Sequence, residues 1–338
     1  MLIISAIAIN SFADKQVRKI ILAGADMLRF NFSYRTIAET IQWIKIAQET
    51  RWELNSSIKL LIDLPSEKIR LGNFDLKTHT VKEGEEIIFR SADYSPDCNQ
   101  FVPVQTVKLG EKTYVDKMIA VGDGDISIQV MEIIDTDTIK VRMLNNGVLQ
   151  AMKVLHINTV VNEQKLLEYY KQIFQHMDEI QPHYIAVPFI NDSINQQIIA
   201  EIPQKNRYKT IIKIENQEGL NRMETLCQDT NYDMILVDRG ELGVNLPYEE
   251  LGVIQKNIIH QARQYRKPVI ISTQILESTM NNYIPKRSDI LDLTNIILDG
   301  ADGIMFCRET GLGLRPAYTI SVAKRIIQAV EKYKQKAE

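Results

Sequence analysis

The chain has 338 residues, 45% apolar and 25% charged, with a formal net charge of −3. That length allows one large barrel or two to three ordinary domains, and the balance is that of a globular chain in water. The slight acidity excludes a basic footprint for nucleic acid or an anionic membrane, and three scattered cysteines exclude a disulfide framework or zinc-type spacing.

In chain order, the opening "MLIISAIAIN" is apolar but has no basic start and no small-residue cleavage pattern, and it is too short to span a bilayer. It predicts a buried strand over residues 2–9. Further strands are predicted over 27–32, 58–63, 183–189, 210–215, 233–237, 268–272 and 302–306. Most are apolar on consecutive residues, as expected of strands covered on both faces. Between them lie amphipathic segments of helical length: "ADKQVRKIILAG", "RTIAETIQWIKIAQET" and "NEQKLLEYYKQIFQHM". The last, "RPAYTISVAKRIIQAVEKYKQ", carries Pro316 near its start, where the missing N–H costs least. About eight strands alternating with helices predict an α/β fold, a (β/α)8 TIM barrel. The alternative, a doubly wound open sheet, would carry a Gly-rich phosphate turn after an early strand, and none is present.

The alternation breaks once, between about residues 67 and 156, into short Val/Ile/Thr-rich stretches with turn signals. Asp123-Gly124 and Asn146-Gly147 are hairpin-type dipeptides. The expectation is an all-β domain at 67–156 inserted after the third strand, with 1–66 and 157–338 forming the barrel. Such an insert on short connections could swing as a lid.

Barrel sites lie at the C-terminal ends of the strands. Those ends read Arg29, Asn31 and Ser33 on the second; Asp63 on the third; Lys213 and Glu215 on the fifth; Asp238, Arg239 and Glu241 on the sixth; Thr273 on the seventh; Arg308 and Glu309 on the eighth. Any one of these has a bland reading as a structural polar end. Together they offer hard oxygen ligands in Glu215 and Glu241, cations in Arg29 and Lys213, and a hydroxyl in Thr273. That set suits an anionic substrate on a divalent metal, with Lys213 poised where negative charge develops, as on an enolate or a transferring phosphoryl group. The amides of Arg239, Gly240 and Glu241 are candidates for holding a substrate carboxylate. Five scattered histidines share no strand end and suggest no histidine base or metal cluster.

In order, "LRFNFS", "IIKIENQEGL", "VDRGELGVNLP", "PVIISTQILESTM" and "DGADGIMFCRET" resemble the motifs of the pyruvate kinase family, from near residue 3 to about residue 330, the inserted β-domain included. The resemblance implies transfer of phosphate from phosphoenolpyruvate to ADP, giving pyruvate and ATP through an enolate on Mg2+ (or Mn2+). It implies that Lys213 stabilises the phosphoryl group and enolate, that Thr273 assists proton delivery, and that Arg29 contacts the phosphate. Glu215 and Glu241 would hold Mg2+; Asn31, Ser33, Asp63 and Leu64 would form a K+ site; Asn31, Arg70 and Asp123 would face the nucleotide. A cytoplasmic setting follows, with self-association through barrel helices and without the family's C-terminal regulatory domain.

The pattern also departs from the family. The metal-binding Asp is Glu241, and a small Ala is Asp238, a carboxylate beside the candidate carboxylate site. "DLPSEKIR" keeps only Asp63, Ile69 and Arg70 of Asp-Thr-Lys-Gly-Pro-Glu-Ile-Arg. Ala6, Ile7, Ala8 and Ile9 stand for Thr-Ile-Gly-Pro, Tyr34 for His, Gln164 for Lys, and Cys307 and Arg308 for Ser and Gly. Several losses fall where the family holds its nucleotide. Two other readings follow: an Mg-dependent 2-oxo acid enolate enzyme (lyase, aldolase or decarboxylase type) without nucleotide, and a catalytically weak metabolite-binding homologue.

Overall fold

The computed structural model describes residues 1–12, 16–33, 35–66, 68–122, 124–157 and 162–337. It divides into two compact units, Met1–Ser66 with Glu163–Glu338, and Glu67–Asn162. In the first unit, β1 (Leu2–Ala6), β2 (Met27–Asn31) and β3 (Lys59–Asp63) precede the insertion. In the second, β4 (Asn73–Phe74) to β8 (Val102–Val104) include β5 (Thr78–Val81), β6 (Glu86–Ser91) and β7 (Tyr94–Ser95). They are followed by β9 (Met118–Val121), β10 (Ile126–Asp135), β11 (Thr138–Met143) and β12 (Gly147–Gln150). The first unit then resumes with β13 (Tyr184–Pro188), β14 (Lys209–Ile214), β15 (Met234–Asp238), β16 (Val269–Ser272) and β17 (Gly303–Phe306).

The eight strands of the first unit close in the order β1-β17-β16-β15-β14-β13-β3-β2, all neighbours parallel. A closed parallel barrel rules out the open doubly wound sheet. Its interior is filled by one cluster to which every strand contributes: Ile4, Met27, Leu61, Ala186, Ile211, Met234, Leu236, Ile270 and Met305. The connecting helices start where local chemistry says they should. Thr36 and Glu39 form a reciprocal capping box at the head of Ile37–Glu53. Asn191 caps Asp192–Glu201 through the Ile194 amide, and Pro316 occupies the first position of Pro316–Ala337. The first strand ends earlier than its apolar run suggests. Ser11 Oγ accepts from the Ala8 amide at 3.2 Å and donates to Thr310 O at 2.6 Å, turning residues 7–12 out of the sheet.

The second unit has its own buried cluster and a five-stranded sheet in the order β8-β6-β11-β10-β9. Among the described residues β9 and β10 pair antiparallel from Val121 and Ile126, across the segment of the expected Asp123-Gly124 turn, whose Asp123 lies outside the described residues, and β10 and β11 pair up to Asp135 and Thr138. Asn146-Gly147 is not a hairpin turn, because β12 leaves β11 and pairs with β5. Neither residue has positive φ. The glycine is needed instead for close approach, since a Cβ there would stand 2.1 Å from Ile126 Cδ1.

The barrel interior yields a stability prediction. Leu236 is fully buried, and truncating it leaves a hole lined by neighbouring strands. Leu236→Ala should destabilise the chain by roughly 2–5 kcal/mol, read as a lower denaturant midpoint at unchanged slope.

Candidate active site

The site is one step along the strands from the interior plug. Side chains two residues apart on a strand share a face. Met27, Leu61, Ile211, Leu236 and Met305 fill the barrel, so Arg29, Asp63, Lys213, Asp238 and Cys307 follow on the same face toward the C-terminal mouth. The apolar plug lies below, and on five of the strands the next inward position is polar or ionisable.

At the centre of one side stands Lys213, only 5% exposed. Its Nζ lies 2.8 Å from Asp63 Oδ1 and 3.0 Å from Glu215 Oε1, and donates to Leu64 O at 3.1 Å. The Asp63 contact is an ion pair without the alignment of a directed hydrogen bond. Asp63 in turn receives Arg29, with Nε at 2.7 Å from Oδ2 and Nη2 on the same oxygen. Burial alone would push the Lys213 ammonium toward neutrality, but Asp63 and Glu215 outweigh it and hold the pKa above the usual lysine range. Likewise burial would raise Asp63, yet Lys213 and Arg29 hold its carboxyl below the usual range. The result is a buried lysine and a buried aspartate that hold each other charged out of water, with Arg29 and Glu215 against them. Tyr170 completes the floor. Fully buried, it donates its hydroxyl to Pro65 O, and burial raises its pKa.

The other side is built on a strained loop. Thr273, Gln274 and Leu276, just after β16, have φ of 73°, 55° and 56°. Left-handed backbone at a β-branched residue is costly and persists only where the surroundings over-determine it. Here they do. The Arg239 guanidinium donates to Thr273 O at 2.7 Å and 3.1 Å and to Gln274 O at 3.1 Å, and is itself anchored on Asp292 at 2.8 Å and 3.0 Å. Glu309, 1% exposed, accepts from the Ile275 amide at 2.8 Å and the Cys307 amide at 2.7 Å. The loop thereby aims Thr273 Oγ1 at Asp238, to whose Oδ1 it donates at 2.8 Å. The same oxygen accepts from the Gly240 amide at 3.1 Å, so this carboxylate caps its own short helix, Arg239–Asn245. Gly240 must lack a side chain, because a Cβ would lie 2.9 Å from Thr273 Cγ2 and 3.3 Å from Asp238 Oδ1.

Of the residues singled out in the sequence, Arg29, Asp63, Leu64, Lys213 and Glu215 form one connected group, and Asp238, Gly240 and Thr273 a second. Asn31 Oδ1 accepts from the Ser33 amide at 2.7 Å. Glu241 sits in the first turn of Arg239–Asn245. The Arg239 side chain is committed to the Thr273 loop. Arg70 belongs to the second unit, where it donates to Met152 O at 3.0 Å. Asp123 and Tyr34 lie outside the described residues. Sequence reading missed three contributors: Asp292, Tyr170 and the clamping role of Glu309. Asp292 and Tyr170 lie mid-helix, and no local signal marks them; Glu309 is marked only as an acid three residues past an apolar strand.

For metals, Glu215 and Glu241 are hard carboxylates of the type Mg2+ takes, usually as one or two protein ligands supplemented by substrate oxygens. No self-sufficient cage of three or more His, Cys, Asp or Glu side chains exists among the described residues. The oxygens of Asn31, Ser33, Asp63 and Leu64 suit a monovalent cation in type, but Asp63 and Leu64 already serve Lys213, so such an ion would share them.

A closed parallel barrel with a carboxylate-paired lysine and a constrained threonine at its mouth places the chain among the (β/α)8 barrel proteins. Comparison with known proteins makes the assignment narrower. The family model "Pyruvate kinase, barrel domain" matches residues 1–320, and the chain belongs to that family. Among similar proteins, the pyruvate kinase of Thermococcus litoralis is 27% identical over 98% of this chain and 70% of its own length. That of Buchnera aphidicola subsp. Schizaphis graminum is 30% identical over 98% and 69%. That of Mycobacterium intracellulare is 29% identical over 94% and 67%.

The clamp carries a pH prediction. Burial lifts the Glu309 carboxyl from its usual 4.5 to about 7. The folded chain therefore binds a proton that the unfolded chain releases between those values, and stability should fall as pH rises from about 4.5 to about 7. Glu309→Gln should flatten that slope, by a few kcal/mol across the window, in denaturation curves taken at each pH.

Proposed function

We propose that this chain is a phosphotransferase that moves the phosphoryl group of phosphoenolpyruvate to ADP, giving pyruvate and ATP, in a cytoplasmic setting. The observation that carries the reading is the Lys213 ammonium, buried at the barrel mouth and kept charged by Asp63 and Glu215. Family membership supports the same activity.

In this reading the bond between the enol oxygen and phosphorus breaks while a bond from an ADP oxygen to phosphorus forms. Negative charge then develops on the enolate oxygen, and the enolate takes a proton at carbon to become pyruvate. Lys213 stabilises that charge without reorganising, which is where preorganised cations contribute most. Its ammonium already contacts Asp63, Glu215 and Leu64 O, so the substrate anion takes the place of one of these partners. Arg29, fixed by Asp63, faces the phosphoryl group, and Thr273 sits where it can exchange a proton with the enolate carbon. Glu215 and Glu241 would hold Mg2+ or Mn2+, which supplies Lewis-acid polarisation of substrate oxygens when bound. Asn31, Ser33, Asp63 and Leu64 would hold K+. Self-association through the outer helices belongs to the same proposal.

A second reading, an enolate enzyme for a 2-oxo acid without nucleotide, is favoured by one observation. Lys213, Glu215 and Thr273, which suffice to stabilise and protonate an enolate, are retained at the mouth, while several departures from the family pattern fall where the nucleotide would bind.

Thermal melts with Mg2+ separate the readings, because a ligand that binds only the folded state raises the midpoint. Oxalate, which mimics enolpyruvate, and ADP should each raise it. Oxalate alone would favour the enolate enzyme, and silence from both would leave a metabolite-binding homologue of another ligand. Lys213→Met should lower turnover of phosphoenolpyruvate with ADP by at least about 100-fold. Near wild-type turnover in that variant would remove Lys213 from the mechanism.

A further inference from the structure

Asp238 is an inward-facing carboxylate at the barrel mouth that the proposed reaction leaves without a task. It is a carboxylate where the family pattern has alanine, and it is in direct hydrogen-bond contact with the hydroxyl assigned to proton exchange. Building on the enolate chemistry proposed above, we propose that Asp238 is a positioning residue that acts through Thr273 as the terminal acceptor of the proton released when a 2-oxo acid enolises.

The geometry sets the direction of transfer. Thr273 commits its proton to Asp238 Oδ1 at 2.8 Å, which leaves the oxygen's lone pairs for a proton arriving from substrate. On enolisation, the C–H bond beside the substrate carbonyl breaks and its electron pair enters the enolate. The proton goes to Thr273 Oγ1 as the threonine's own proton passes to Asp238, which becomes a carboxylic acid. The Asp238 carboxylic acid, part-exposed at the mouth, exchanges its proton with water, and quenching the enolate reverses both transfers, so solvent hydrogen reaches the methyl carbon and no other co-reactant is needed. Three features hold the pair in line: the left-handed Thr273 backbone, the Arg239 grip on Thr273 O, and the bare Gly240 beneath both side chains. The charged and titratable neighbours are Arg29, which is attracted to Asp238, and the Cys307 thiol, 4.0 Å from Thr273 Oγ1 and pushed up to about 12 by burial. Such a thiol stays protonated and does not compete as the base.

The relay is read through a step that needs no nucleotide, exchange of the methyl protons of pyruvate with solvent. The test uses the full chain with Mg2+ and pyruvate in D2O, following loss of the methyl signal by proton NMR, with phosphoenolpyruvate turnover measured in parallel. Asp238→Asn keeps an oxygen for Thr273 but cannot take a proton. It should lower kcat for exchange by about 100-fold or more while KM stays within about twofold. Thr273→Val should lose as much, and the double variant should lose no more than either, since the two act as one relay. Near wild-type exchange in Asp238→Asn, or multiplicative losses in the double variant, would overturn the relay. Phosphotransfer by a wild-type chain that exchanges no protons would overturn it while leaving the phosphotransfer reading intact. Exchange without phosphotransfer would support it and shift the function to the enolate enzyme. Failure of both activities would overturn both.

Discussion

The ammonium of Lys213 is the constraint around which the barrel mouth is arranged. Taking a lysine out of water is expensive, and removing one member of a buried ion pair typically costs 3–5 kcal/mol because a bare charge is left behind. Here each charge answers another: Lys213 meets Asp63 and Glu215, and Asp63 meets Arg29. The four formal charges sum to zero, so the group is tolerable inside the protein yet leaves two cations side by side. An arriving anion therefore exchanges one negative partner for another instead of meeting a naked field. The apolar plug below keeps the effective dielectric low, which strengthens each of these attractions.

The opposite wall works by strain instead of charge. Left to itself, the chain after β16 would not place a β-branched residue in the left-handed region. It does so because Arg239 and Glu309, from two different strand ends, hold carbonyls on one side and amides on the other. Backbone geometry is thus converted into the direction of a single hydroxyl. The two walls touch electrostatically through Arg29, which feels Asp63 most and Asp238 less.

The barrel was largely legible because strands buried on both faces leave an unmistakable mark, several apolar residues in succession. The helices declared themselves through capping residues such as Thr36 and through Pro316. Site residues were legible wherever polarity interrupts an apolar strand at its end, as at Asp63, Lys213 and Asp238. What sequence could not disclose depends on who meets whom. Arg239 drew notice for its backbone amide alone, and nothing in the local sequence shows that its guanidinium reaches a helix 53 residues further on. Asn146-Gly147 had the composition of a hairpin turn, yet the glycine answers to the bulk of Ile126 and the strands it separates pair elsewhere.

The placement of Arg29, Asp63, Lys213 and Asp238 one pleat above the plug has an evolutionary corollary. Inserting or deleting a single residue within β14 or β15 would rotate Lys213 or Asp238 from the lumen to the helical shell, abolishing the wall while sparing the loops. Substitution can tune this mouth freely, as Glu241 and Asp238 illustrate, whereas changes of strand length are closed to it. Diversity in such a chain must accumulate by exchanging side chains at fixed heights, never by sliding them.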